Sequence, residues 1–142
     1  MSDNLRLEKQ LCFRLYSANK KVCRLYAPLL KELGLTYPQY LVMLVLWQQT
    51  EALSVKALGK TLDLDSGTLS PLLKRMETQQ LLTRVRQKSD ERVVVIELTN
   101  TGQNLKHAAE SIPSTMFAKT GLSAENFQQL TKTLDELMQE MS

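Results

Sequence analysis

The chain has 142 residues, enough for one domain with one core. With 43% hydrophobic and 23% charged residues it is not an intrinsically disordered protein, and no apolar run reaches the roughly 18 residues of a membrane span. The small net charge of +3 is unevenly spread: residues 54–92 hold eight bases against five acids, and residues 93–142 hold three bases against six acids. A basic middle and an acidic tail favour a nucleic-acid partner, with scattered surface charge as the alternative.

The chain has two cysteines, Cys12 and Cys23, and one histidine, His107. Because the first residues lack the apolar core of a secretion signal, we expect a cytoplasmic protein, in which structural disulfides contribute little. The histidine stands far from both cysteines in the sequence, so the spacing typical of metal ligands is missing. We therefore expect neither a metal nor a cofactor.

Hydrophobic spacing predicts four helices in the first half of the chain. Leucines recur at helical intervals in the first, and the second is apolar on nearly every side, which predicts a buried helix. Polar residues that commonly cap helices precede the later ones. The predicted helices cover 5–32, 36–47, 55–62 and 66–79, with Thr36, Ser54 and either Asp65 or Ser66 as caps.

The second half of the chain predicts a β-hairpin followed by two helices. Alternation of apolar and polar residues over 81–86 and a β-branched run over 93–98 predict paired strands with a charged turn between them. A helix over 101–117, with Pro113 as a break point, and a last helix that begins within 121–125 complete the chain.

This order of elements is typical of a winged helix-turn-helix, in which two short helices are followed at once by a hairpin. We predict a single domain over 1–142, mainly α with a small β-hairpin wing, and assign about 36–98 to the winged helix-turn-helix. One such unit contacts only one DNA half-site, so the helices over 5–32 and 101–141 are predicted to form a homodimer, with padding of the core as their alternative role. The predicted interface includes Leu130, Leu134 and Leu137.

Small polar and basic side chains coincide on the two elements that this motif brings side by side. The start of the second short helix is small and polar, which allows a close approach to base edges and phosphates. A capped helix with solvated charges is the alternative, but charges on both elements favour double-stranded DNA. The predicted DNA-binding residues are Ser66, Thr68, Ser70, Lys74, Arg75, Arg84, Arg86, Lys88, Asp90 and Arg92.

The hairpin tip carries Ser89-Asp90-Glu91-Arg92, and Leu98-Thr99 follows the second strand. With these residues the chain resembles the MarR family of winged-helix transcriptional regulators, whose wing has an Asp-x-Arg signature. The resemblance implies that Arg92 reaches the DNA minor groove and that Asp90 orients it.

Three further segments resemble one branch within that family: residues 10–13, 35–40 and 64–77. They are similar to the organic-hydroperoxide-sensing branch, OhrR, and to the related thiol-sensing regulators of staphylococci. In that branch a cysteine of the N-terminal helix is oxidised beside tyrosines of the partner subunit. The resemblance implies a palindromic operator, Cys12 as the redox-sensing residue, and a sensor pocket of Tyr16, Tyr26 and Tyr37.

The chemistry of Cys12 agrees with that role. A helix start favours an anion, and tyrosine hydroxyls can donate hydrogen bonds to a thiolate. Cys23, eleven residues later, lies about 16 Å away along the same helix, too far for a disulfide within it, and is assigned to packing. No cysteine follows Cys23, unlike in the two-cysteine members of the branch. We predict a sulfenic acid on Cys12 and then a mixed disulfide with a low-molecular-weight thiol, with a cross-subunit Cys12–Cys23 disulfide as the alternative.

The predicted function is therefore a repressor that releases its operator when an organic hydroperoxide oxidises Cys12. A MarR-type regulator induced by an aromatic small molecule is the alternative. A thiol peroxidase is a third hypothesis. It is disfavoured because the sequence shows no general base or resolving cysteine arranged for catalytic turnover. We predict a regulator and not an enzyme.

Overall fold

The computed structural model describes residues 3–142 and divides the chain into two units. The first unit comprises the N-terminal segment up to Tyr26 together with Ser111–Ser142. The second comprises Ala27–Glu110. Within residues 3–142, no helix combines the length and the apolar character needed to cross a membrane.

The second unit holds four complete helices and a small sheet. The long helix α1, Leu11–Lys31, enters it at Ala27. The other elements, in chain order, are α2 Tyr37–Gln48, β1 Leu53–Ser54, α3 Val55–Leu62, α4 Ser66–Thr78, β2 Leu82–Arg86, β3 Val94–Leu98 and α5 Asn100–Ala109.

The three strands form an antiparallel sheet in the order β1–β3–β2. Ile96 of β3 lies opposite Leu53 of β1 and Arg84 of β2. The sheet and the helices enclose a continuous apolar core, which fixes the position of the hairpin relative to α4. Its fully buried side chains include Val42, Met43, Leu58, Leu69, Leu73, Met76, Leu82 and Ile96.

Side chains at the helix starts explain why the helices begin where they do. Thr36 accepts from the N–H of Gln39, and the Gln39 side chain accepts in turn from the N–H of Thr36, which completes a capping box. Ser54 caps α3, as the sequence predicts, and Asp65, one of the two predicted candidates, caps α4. Each cap satisfies a backbone N–H that has no partner inside its helix.

The first unit is helical and comprises the first part of α1, α6 Ile112–Thr120 and α7 Ala124–Met141. The rings of Phe117 and Phe127 meet edge to face, with centroids 5.1 Å apart. Many large apolar side chains of this unit remain exposed, which is expected of a surface that a second chain covers. They are Leu5, Leu7, Leu11, Phe13, Leu15, Tyr16, Val22, Phe127, Leu130, Met138 and Met141.

The predicted start of the first helix is wrong. The α-helix begins at Leu11 and not at residue 5, because the Gln10 side chain donates to the carbonyls of Asn4 and Arg6 and only short 3-10 turns precede it. The predicted helix over 101–117 is divided into α5 and α6 next to its predicted break point, Pro113. Pro113 lacks the N–H that a continuous helix needs and instead lies in the first turn of α6.

The sequence prediction also omits β1. This strand has only two residues, Leu53 and Ser54, so it is too short to show a period of two. Its pairing with Ile96 and Val95 gives the hairpin a third strand.

Candidate nucleic-acid interface

The start of α4 presents a small polar surface, as the sequence predicts. Ser66, Thr68 and Ser70 are exposed, whereas Leu69 on the opposite side is buried in the core. Asp65 Oδ1 accepts from the N–H of Thr68 at 2.7 Å. The hydrogen bonds from Thr68 lower the pKa of Asp65, so the carboxylate stays ionised and α4 begins at a defined residue.

Lys74 and Arg75 lie one to two turns further along α4, and both are exposed. Leu73 and Met76 beside them are fully buried, so the helix is held from one side while its basic residues face solvent. This is the arrangement that the DNA-reading helix of the motif requires, so α4 is the reading helix of this chain.

The hairpin forms a compact, charged wing. The turn of the hairpin closes with a hydrogen bond from the N–H of Gln87 to the carbonyl of Val93 at 2.8 Å. Arg86 Nη1 donates to the carbonyl of Glu91 at 2.8 Å, and Lys88 is exposed near the tip. The tip therefore carries two cations on a backbone fixed by its own hydrogen bonds.

Asp90 holds Arg92 through three contacts. Asp90 Oδ1 accepts from the backbone N–H and from Nε of Arg92 at 3.1 and 3.2 Å, and Oδ2 accepts from Nη2 at 3.3 Å. The Arg92 side chain is nevertheless 91% exposed. Its hydrogen bonds lower the pKa of Asp90, which keeps the pair charged. The guanidinium is thus oriented and still open to solvent.

Arg84 has a different environment from the other wing cations. Its Nη2 lies 3.2 Å from Oε1 of Glu77, and its side chain is only 26% exposed. Glu77 stands at the end of α4 and was not among the residues predicted from the sequence.

A cleft of about 990 Å³ lies between α3, α4 and the wing. Lys56 and Lys60 of α3 line it, and both are exposed. These lysines were not among the DNA-binding residues predicted from the sequence. Their spacing of four residues, which puts both on one side of a short helix, is the signal that could have found them. With Arg84, Arg86 and Arg92 on the opposite side, the cleft is lined by cations from two directions.

Cys12 is the second residue of α1, and its side chain is exposed. Tyr16 lies one turn further along the same helix and is 62% exposed. The thiol is therefore exposed and close to a helix N-terminus. The predicted helix start at residue 5 would have placed it about two turns inside the helix.

The two other predicted pocket tyrosines do not join Cys12 within the first unit. Tyr26 follows it by fourteen residues in α1, a distance of about 21 Å along the helix axis. Burial, and to a smaller extent the charge of Cys23, raises the pKa of Tyr26, so its hydroxyl stays protonated and can donate. Tyr37 begins α2 in the second unit, where its ring lies 6.5 Å from that of Tyr40. A pocket that joins Tyr26 to Cys12 requires a second chain.

Cys23 is half-buried, and its Sγ lies 3.7 Å from Oδ1 of Asn19. Cys12 and Cys23 are both free thiols in the structure. They share α1, as the sequence predicts, so the separation of about 16 Å along one helix stands.

The fold and the paired basic surfaces of α4 and the wing define a winged-helix DNA-binding protein. The family model "Transcriptional regulator SarA/Rot" matches residues 24–109. The organic hydroperoxide resistance transcriptional regulator of Bacillus subtilis strain 168 is 48% identical over 137 residues, which cover 96% of this chain and 92% of that protein. The chain belongs to the SarA/Rot family of transcriptional regulators, which confirms the predicted MarR-type winged-helix class.

Solved structures of AbfR from Staphylococcus epidermidis agree with this assignment. Reduced AbfR bound to DNA has a TM-score of 0.79 and 33% identity, with 98% of this chain and 96% of that chain covered. Disulfide-formed AbfR has a TM-score of 0.62 and 36% identity, with 96% and 95% covered. The relatives are transcriptional regulators, so the prediction of a regulator and not an enzyme is confirmed.

Proposed function

We propose that this chain is a homodimeric transcriptional repressor that binds a palindromic operator in the cytoplasm and releases it when an organic hydroperoxide oxidises Cys12. The observation that carries the proposal is the joint geometry of the Asp65-capped start of α4 and the Asp90-held Arg92. A relative at 48% identity that is named for organic hydroperoxide resistance supports the choice of inducer.

The proposed DNA contacts divide between the helix and the wing. The start of α4 enters the major groove, where small side chains allow base edges to come close, and its basic residues bind phosphates. Arg92 enters the minor groove with its guanidinium already oriented by Asp90. The proposed contacts on α4 are Ser66, Thr68, Ser70, Lys74 and Arg75, and those on the wing are Arg86, Lys88 and Arg92.

A dimer supplies the second half-site. The exposed apolar side chains of the first unit, Leu130 among them, are the proposed interface. Burial of this surface against a second copy would bring two reading helices onto one operator, and the spacing between the helices would set the operator length.

The proposed sensing reaction takes place at Cys12. The thiolate attacks the hydroxyl oxygen of the hydroperoxide, the O–O bond breaks, and the alkoxide leaves and takes up a proton to become an alcohol. Cys12 is oxidised to a sulfenic acid. A low-molecular-weight thiol then attacks the sulfenic sulfur, which gives a mixed disulfide and releases water. The enlarged side chain no longer fits between the tyrosines, and the interface helices move.

A cross-subunit disulfide between Cys12 and Cys23 is the alternative product of oxidation. A structure of disulfide-formed AbfR is known, which is the reason to test for this bond. Non-reducing electrophoresis after peroxide treatment separates the two routes. A covalent dimer that is lost in Cys23→Ser supports the cross-subunit bond. A monomer whose mass, measured by mass spectrometry, has increased by that of the added thiol less two hydrogens supports the mixed disulfide.

The function itself is tested by electrophoretic mobility shift with duplex DNA from beside the chain's own coding region. Reduced protein should bind, cumene hydroperoxide should release the DNA, and a thiol reductant should restore binding. Cys12→Ser should bind and ignore peroxide, with Cys23→Ser as the matched control. Release of the Cys12→Ser variant by peroxide would contradict the proposed role of Cys12. DNA release by an aromatic acid, with no change in free thiol, would favour a small-molecule inducer.

A further inference from the structure

A carboxylate at the end of α4 contacts the first strand of the wing at two points. Glu77 Oε2 accepts from the backbone N–H of Arg84 at 3.0 Å, and Oε1 accepts from Arg84 Nη2 at 3.2 Å. Among the described residues, Arg84 Nε has no hydrogen-bond partner, although it is buried. A guanidinium that is mostly covered and already paired has little freedom to reach a phosphate.

The backbone contact matters because β2 is an outer strand of the sheet. The N–H groups on the free side of such a strand have no neighbouring strand to accept them. Glu77 accepts one of these N–H groups, at Arg84. The end of α4 thus substitutes for a fourth strand at a single position.

The connection between α4 and β2 is short and tightly turned. Gln80, within it, has a φ of +64°, a left-handed conformation that is uncommon for residues other than glycine. Thr99 Oγ1 donates to the Gln80 carbonyl at 2.6 Å and holds that turn against the start of α5. The wing is therefore joined to α4 at two separate places, by the connection itself and by the Glu77–Arg84 contact.

We propose that Glu77 and Arg84 are positioning residues that set the wing against the reading helix, and that Arg84 acts through Glu77 instead of contacting DNA as the sequence analysis predicts. The inference rests on the proposed DNA binding for its functional consequence, but the contact itself can be tested without DNA. The contact also lowers the pKa of Glu77, through the backbone and side-chain hydrogen bonds from Arg84.

The first experiment is amide hydrogen exchange on the free protein. Glu77→Ala removes both contacts and places a good helix former in α4. Glu91→Ala, which removes an exposed wing carboxylate, is the matched control. We expect the amides of 82–86 to exchange about tenfold faster in Glu77→Ala and to be unchanged in Glu91→Ala. Equal exchange in all three proteins would overturn the inference.

The second experiment measures operator binding by fluorescence anisotropy at several salt concentrations. Removal of a negative charge near DNA should strengthen binding by electrostatics alone, as expected for Glu91→Ala. If Glu77 positions the wing, Glu77→Ala should instead bind about tenfold more weakly, the size of effect that a lost charged hydrogen bond can have. Tighter binding by Glu77→Ala would contradict it.

The salt dependence distinguishes a positioning residue from a phosphate contact. Arg84→Met should weaken binding without changing the slope of log affinity against log salt, and Arg84→Lys should restore part of the affinity. Arg86→Met, the control, should lower the slope by about 0.9. A similar loss of slope in Arg84→Met would show that Arg84 contacts DNA. If no variant and no wild-type protein binds the duplex, the proposed function fails, and the exchange experiment still decides the role of the pair.

Discussion

Gln39 Nε2 in α2 donates to Gln79 Oε1 at the end of α4, at 3.1 Å. Gln79 Nε2 in turn donates to the carbonyl of Gly34 at 3.2 Å, and Gln39 Oε1 accepts from the N–H of Thr36. One buried amide therefore joins the turn before α2 to the end of the reading helix. Tyr37, a proposed pocket residue, is the first residue of α2 and directly follows Thr36 in that turn.

Replacement of this amide should destabilise the fold. Gln39 is only 3% exposed, so Gln39→Leu removes two hydrogen bonds from a dry environment, at a cost of about 1–3 kcal/mol. Gln48→Leu, at the exposed end of the same helix, is the matched control and should cost less, because water already surrounds that side chain. Urea unfolding followed by circular dichroism measures both. An equal loss of stability in Gln48→Leu would contradict the assigned environments.

The Asp90–Arg92 contact should affect DNA binding without affecting stability. Asp90→Asn keeps an acceptor but loses the charge that holds the guanidinium, so Arg92 becomes less well oriented. We expect operator affinity to fall about three- to tenfold in Asp90→Asn and more in Arg92→Ala, with Tm unchanged in both. Fluorescence anisotropy titrations with operator duplexes whose flanking sequences are A·T-rich or G·C-rich measure these affinities. Equal losses on both flanks would indicate that Arg92 contacts only phosphate.

Lys56 and Lys60 should contribute phosphate contacts from the far side of the cleft. If each lysine neutralises one phosphate, Lys56→Gln and Lys60→Gln should each reduce the salt slope by about 0.9 and weaken all duplexes alike. Lys132→Gln in α7, which lies in the other unit, is the charge-matched control. An unchanged slope in both α3 variants would exclude these lysines from the interface.

The cap of α4 should make stability depend on pH through Asp65. Its pKa is lowered below the ordinary value of 3.8 by hydrogen bonds from Thr68. A lowered pKa in the folded state means that the contribution is fully present above pH 3.8 and is lost as the pH falls through the lower folded value. Asp65→Asn keeps a capping side chain without the charge. We therefore expect the stability difference between wild type and Asp65→Asn to shrink as the pH falls below 3.8. A difference that persists in acid would argue against an ionised cap.

The sequence was sufficient wherever a local signal determined the structure. Helix α3 follows its cap Ser54 over the predicted 55–62, because the cap and the apolar spacing agree. Residues 5–9 have the leucine spacing of a helix, yet the Gln10 side chain takes up the carbonyls that a helix would use. Periodicity does not register such a competing hydrogen bond.

The candidate site was predictable in its parts but not in its pairings. The cap Asp65 and the wing arginine Arg92 stand in recognisable motifs. The contact between Glu77 and Arg84 joins residues across a tight turn, and an acid seven positions before a base has no particular meaning in a sequence. The partner of Gln39 is forty residues away, so only the fold could identify it.

The distance of about 21 Å along α1 between Cys12 and Tyr26 has a consequence for dilute protein. If Tyr26 of one subunit completes the pocket around Cys12 of the other, a monomer can neither bind the whole operator nor form a complete sensor pocket. Dissociation would then remove repression and peroxide responsiveness in a single step. At protein concentrations below the dimer's dissociation constant, the monomers would therefore neither bind DNA nor react readily with the hydroperoxide.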